Sequence, residues 1–193
     1  LKNKYPGSSD KIIAALETNF KIISPDTAFA SSSNNPLDKR LDFSAYFLSL
    51  IKTLDEQGET YETIRGNCLA IVFEYVRPKN KMQRLMKRLP AKLLDTRLGN
   101  IFIKAFGKKL GRRSHEDGFV AKIITDKNET YGFGYGFDIL ECGICKLFKK
   151  HRYEKYASIL CEVDEITSGL AGLRLIRTST IALGAHKCDF RFQ

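Results

Sequence analysis

Apolar spacing changes character once along this chain, at Gly118, and that change limits the folds open to it. Before Gly118 apolar side chains recur at the interval of one helical face; after it, several stretches alternate with the period of a strand. Ser9 can cap a helix from about Asp10, whose positions Ile12, Ile13, Leu16, Phe20 and Ile23 follow helical spacing until Ser24-Pro25 ends it. A polar loop over 28–36 leads to helices over 38–57, closed by Gly58, and 59–76, closed by Arg77-Pro78. Two further helices are expected over 80–89, broken at Pro90, and 92–108. Residues 119–125 and 130–138 read as a hairpin turning through Asp126-Lys127-Asn128. Helical spacing returns with Ile139, Cys142, Leu147 and Phe148, then with Tyr156, Ile159, Leu160, Val163 and Ile166. Residues 173–182 and 187–192 read as strands, with Gly184 in the turn between them. The order implies an α+β fold: an N-terminal helical layer, then an antiparallel sheet with two short helices between its two β-pairs. The expected organisation is one domain over 1–193, mainly helical over 1–113 and α+β over 114–193.

Charge and composition narrow the function classes. No run approaches about 18 consecutive apolar residues, so no membrane helix is expected. Leu1 to Asp10 lacks a secretory pattern, and five cysteines make a poor disulfide framework. Reduced thiols in a cytoplasmic protein are the simpler expectation. The net charge of +10 is concentrated between Lys79 and Arg113, where twelve Lys and Arg face one acid, Asp95. Such a block suits an anionic partner or a solvated helix face. Phe102 and Phe106 sit there at core spacing and no recognised basic motif is present, so a nucleic-acid partner is not expected.

The candidate chemistry lies in the last fifty-odd residues. Cys142 and Cys145 form a C-x-x-C, but no second pair stands at zinc-finger spacing and no βαβ context suits a thioredoxin-like site. Cys161 and Asp164 are three residues apart, hence on one helical face, as a core thiol beside a solvated acid would also be. On the closing strand Cys188, Phe190 and Phe192 share one face and Asp189 and Arg191 the other. Asp189 and Arg191 could be an edge-strand ion pair or part of a carboxylate site. Cys68 sits among Ile64, Leu69 and Val72 as a core residue. His115-Glu116 lacks the second histidine of a zincin. Gly132, Gly134 and Gly136 alternate along a strand, which suggests close approach of a backbone or ligand rather than a dinucleotide turn. Inward-facing Cys142, Cys161 and Cys188 are expected to form one cluster, with Asp164 and Arg177 at its edge.

Glu141-Cys142, Cys161 with Asp164, Arg177-Thr178-x-Thr180, Gly184 and the tail Cys188-Asp189-Phe190-Arg191-Phe192 follow one another in a recognisable order. In this the segment from Phe137 to Phe192 resembles the L-2-amino-thiazoline-4-carboxylic acid hydrolase family. Cys145 is outside that pattern. The resemblance implies hydrolysis of a carbon–nitrogen bond in a cyclic amidine, a thiazoline carboxylate opening to N-carbamoyl-L-cysteine. It implies Cys161 or Cys142 as nucleophile, Asp164 as acid, Arg177 or Arg191 on the substrate carboxylate with Thr178 and Thr180 beside it, and Cys188, Asp189 and Gly184 as structural residues. No cofactor is called for. The alternative is a metal held by Cys142, Cys161 and Cys188, which would activate water instead. The E-C, C and G-x-x-x-C-x-F arrangement also resembles 4-vinyl reductase small-molecule-binding domains, which implies binding without turnover.

Overall fold

The computed structural model describes residues 5, 7, 9–79, 97–132 and 136–192. The expected helix over 80–89, the start of that over 92–108, Gly134 and residues 80–96 of the basic block lie outside these residues.

Helix α1 (Ser9–Ile23) runs into a 3-10 turn (Ser24–Ser31) that Pro25 opens, and α2 (Arg40–Glu56) follows. Helix α2 is the organising element, because its apolar residues occupy almost every face. Leu41, Ala45, Phe47, Leu48, Leu50, Ile51 and Leu54 are all buried, as suits a helix enclosed by others. Its buried Ser44, Ser49 and Thr53 need no outside acceptor, since each hydroxyl donates to the carbonyl four residues earlier. Helices α1 and α3 (Tyr61–Val76) pack against it. Thr60 caps α3, its Oγ1 accepting from the Thr63 amide at 3.3 Å. Helix α4 spans Arg97–Leu110 and packs on the sheet through β1.

Strand β1 (Val120–Ile124) pairs with β2 (Gly136–Glu141). Helix α5 (Gly143–Lys150) packs on α2, and α6 (Ala157–Leu170) packs on α3. Strands β3 (Leu175–Ile176) and β4 (Cys188–Phe192) complete an antiparallel sheet of order β1-β2-β4-β3. The α+β expectation therefore holds: a helical layer precedes a four-stranded antiparallel sheet with α5 and α6 between its β-pairs. One buried apolar cluster runs through helices and sheet, from Leu16 to Phe192.

Local boundaries differ from the sequence reading. Ile139 and Leu140 belong to β2, and the helix expected there starts at Gly143. Gly143 is packed tightly enough that a Cβ would stand 2.9 Å from the Asp117 carbonyl oxygen. Residues Thr130 to Gly132 turn rather than extend, with Tyr131 and Gly132 both at positive φ. Gly136 does permit close approach: a Cβ there would lie 2.6 Å from the Phe190 carbonyl oxygen. The strand expected over 173–182 shrinks to two residues. Beyond it the amides of Thr178 and Ser179 donate to the Asp189 carboxylate at 3.0 and 2.6 Å, which takes the groups a ladder would use. Strand β4 is internal, between β2 and β3, so Arg191 is not on an edge.

The loop before α2 latches the helical layer to the sheet. Buried Asn35 donates through Nδ2 to the carbonyls of Leu110 and Phe119 at 3.2 and 2.8 Å. Buried Asp38 accepts from the Phe119 amide at 2.7 Å. Gly118 leaves room for that carboxylate, since a Cβ there would lie 2.8 Å from Asp38 Oδ1. Asp38→Ala leaves the Phe119 amide buried without an acceptor, at a cost of about 1–3 kcal/mol. A thermal melt should show a fall of roughly 3–10 °C; an unchanged melting temperature would mean that the latch carries no weight.

Candidate active site

Helix α6 presents Cys161 and Asp164 on one face, one turn apart. Asp164 is buried, and its two oxygens meet two different arginines. Oδ1 is paired with Nη2 of Arg40, the first residue of α2; Oδ2 faces Nη1 of Arg177 at 3.4 Å. The Arg177 side chain is only 6% exposed, so its charge depends on such partners. Its Nη2 donates to the Cys161 carbonyl at 2.9 Å and faces Glu165 at 3.5 Å. Its guanidinium lies 5.1 Å above the Phe190 ring, which itself stacks on Phe137 across the β2–β4 pair.

The cysteines of the C-terminal part lie near enough to affect one another's titration. Cys145 feels the charge of Cys142, Cys161 and Cys188, and Cys161 that of Cys142 and Cys188. All are free thiols. Among the described residues no group of three or more His, Cys, Asp or Glu is arranged to hold a metal ion, and that includes the set Cys142, Cys161 and Cys188.

The thiols are unequal. Burial pushes Cys161 up to about 12, against the pull of Arg177, and Cys188 up to about 11. Cys188 accepts from the Ile181 amide at 3.2 Å, which pins the 3-10 turn Ile181–Leu183 to β4. Gly184 closes that turn at φ 91°, a conformation glycine adopts without strain. Cys142 behaves oppositely. A hydrogen bond from the Cys145 thiol lowers it against burial, and the Cys145 and Ile144 amides and Arg40 lower it further. It occupies the N-cap of α5 without a capping bond of standard geometry. Cys145 is raised, first because its proton is held on Cys142.

An open cleft of about 540 Å³ lies over Cys161 and Arg177, lined also by Thr178, Thr180, Glu162 and Glu165. Glu162 is held from below by Arg65 of α3, whose Nε lies 2.8 and 3.0 Å from the two carboxylate oxygens. Asp189 holds the cleft's threonine segment, accepting from the Thr178 and Ser179 hydroxyls at 2.6 and 2.9 Å as well as from their amides. These bonds hold its carboxyl below the usual range although burial alone would raise it. Thr180 Oγ1 is buried and has no partner among the described residues.

Several motif residues are not among those lining the cleft. Arg191 is buried, paired with Asp138 at 2.9 Å, and its Nε donates to the Glu129 carbonyl at 2.8 Å. Cys142 and Cys188 are not among the cleft-lining residues. Glu141 is structural: Lys146 at 2.6 Å, together with Arg113, holds its carboxyl below the usual range. Lys146 also donates to the Glu116 carbonyl at 2.6 Å, which ties α5 to the loop before β1.

Sequence reasoning missed Arg40 and gave Cys145 no role. Arg40 is 124 residues from Asp164, and its one local signal is a cation in the first turn of an otherwise apolar helix, against the dipole.

An α+β frame places a thiol, a guanidinium and hydroxyls along one open cleft. The chain belongs to the L-2-amino-thiazoline-4-carboxylic acid hydrolase family, whose model matches residues 40–192. That span opens at Arg40 and so takes in the whole Arg40–Asp164–Arg177 network and all four gathered cysteines. No curated protein and no solved structure matches the chain. Among the described residues no helix is long and apolar enough to cross a membrane.

Because Cys142 is lowered, its thiolate persists to lower pH than that of an ordinary thiol near 8.5. Iodoacetamide at neutral pH should therefore label Cys142 ahead of Cys161 and Cys188, and Cys145→Ala should move the labelling midpoint of Cys142 upward. Peptide mapping across a pH series reads both, and equal labelling of the three thiols would contradict the ordering. Asp164→Ala leaves buried Arg177 short of its counter-charge and should cost about 3 kcal/mol.

Proposed function

We propose that the protein hydrolyses a small cyclic amidine bearing a carboxylate, held in the cleft over Cys161 and Arg177. The observation that carries this reading is the cleft's lining. A thiol, a cation and two threonines of the family motif border one open volume. Arg177, fixed by Asp164 and the Cys161 carbonyl, receives the substrate carboxylate. Arg191 is engaged on the other strand face and is not offered. Thr178 and Thr180 orient the substrate, and Thr180 Oγ1 is the hydroxyl that still lacks a partner.

Atom balance refines the expected bond cleavage. N-carbamoyl-L-cysteine keeps both amidine nitrogens on its carbonyl carbon, so the ring bond that breaks is carbon–sulfur. Cys161 Sγ attacks the amidine carbon, its proton passes to the departing ring sulfur, and water then displaces Cys161 to leave the ureido product. A thiolate is a good leaving group and asks little of a general acid. This suits Asp164, whose oxygens are both engaged by arginines; its proposed role is to position Arg177. Cys161 rests protonated, which fits a thiol that loses its proton only as it attacks.

Incubation with the thiazoline carboxylate should release one new thiol per turnover, read with a chromogenic disulfide after removal of the protein. Cys161→Ala should abolish release while the melting temperature stays within the few degrees that about 1 kcal/mol produces. Arg177→Gln should raise KM at least about tenfold, the worth of a charge-assisted contact of about 1.4 kcal/mol. Saturable binding with no thiol release would sink hydrolysis and leave the ligand-binding alternative.

A further inference from the structure

The C-x-x-C is left unused by the hydrolytic reading, which assigns no step to Cys145. Cys142 is the N-cap of α5, and Cys145 is the third residue of that helix. Side chains at these two positions face each other across the first turn, the geometry in which capping pairs meet. Here the pair is two free thiols. The backbone between them is held firmly. Gly143 sits against the Asp117 carbonyl and the Phe119 ring, the Lys146 amide donates to the Cys142 carbonyl at 3.1 Å, and the Lys146 ammonium anchors the same turn to Glu141 at 2.6 Å. A disulfide needs Cβ atoms about 3.5–4.5 Å apart, and a firmly held first turn with cysteines at its N-cap and third position can approach that need with little movement. Both thiols are partly exposed, whereas Cys188 is buried.

We propose that Cys142 and Cys145 are a reversible dithiol–disulfide couple, oxidised by low-molecular-weight disulfides. The inference does not rest on the hydrolase reading. Cys142 is the attacking sulfur, since it is the thiol of the cluster held toward its anion by a helix N-terminus and a cation. Its thiolate attacks one sulfur of a disulfide R–S–S–R and expels RS⁻, leaving Cys142 in a mixed disulfide. The RS⁻ takes the Cys145 proton, and the Cys145 sulfur attacks Cys142 Sγ and expels a second RS⁻. In sum, one thiolate, one thiol and R–S–S–R give the internal disulfide, RSH and RS⁻. The two electrons lost by the protein reduce the small disulfide.

Oxidised glutathione is a suitable probe, applied to the whole folded chain. Tryptic peptide 128–146 contains Cys142 and Cys145 and neither of the other clustered thiols. After oxidation this peptide should lose the mass of two hydrogens, and dithiothreitol should restore it. In Cys145→Ser, glutathione should stay attached to Cys142, because the resolving thiol is gone. In Cys142→Ser, loss of the Cys145 thiol should slow at least about tenfold. Unfolding the wild-type chain in urea should slow the first attack at neutral pH, a control that needs no variant. The proposal is overturned if peptide 128–146 keeps both thiols, if glutathione remains on Cys142 in the wild type, or if Cys142 cross-links to the peptide of Cys161 or Cys188.

Discussion

One buried carboxylate sets the arrangement of everything around the cleft. Asp164 joins Arg40 at the start of α2 to Arg177 just after β3, so helical layer, α6 and sheet meet at two oxygens. An isolated buried charge is costly, and an arginine as enclosed as Arg177 is tolerated only with partners. Asp164, the Cys161 carbonyl and the Phe190 ring supply them. The same contacts fix the guanidinium at the border of the cleft.

Environment alone divides four chemically identical thiols into different roles. Cys188, buried and accepting an amide, behaves as part of the backbone network of the closing turn. Cys161 is half-buried and borders open volume, and desolvation raises its titration. Cys142 and Cys145 stand at the start of one helix, and each shifts the other's titration, Cys142 down and Cys145 up. Proximity brings the sulfurs together; the neighbours of each decide what it can do.

The sequence was legible where a periodicity reports one face of one element. The alternation of Cys188, Phe190 and Phe192 placed them in the core, and the change of period at Gly118 marked the passage from helices to sheet. The C-x-x-D spacing put Cys161 and Asp164 on one side of α6. Reading failed where a distant group decided the outcome. Residues after Ile176 have strand-like alternation, but Asp189 captures their amides. Ile139 and Leu140 fit either period, and the packing of Gly143 against Asp117 and Phe119 sets the helix start. Arg40 becomes a site residue only through its ion pair with Asp164, 124 residues away, which no local pattern carries.

The strand order has a bearing on how the chain reaches this form during synthesis. Strand β4 follows both β2 and β3 in sequence, yet it stands between them and bonds to both. Until it leaves the ribosome, β2 has a bare edge and β3 has nothing to pair with. The helical layer can assemble early, because its contacts are made among segments already synthesised. The cleft cannot, since Phe190 beneath Arg177 and Asp189 behind the threonines both arrive with β4. Ribosome-bound chains stopped before Cys188 would therefore hold collapsed helices beside an exposed β-hairpin, a state that invites pairing with another nascent copy.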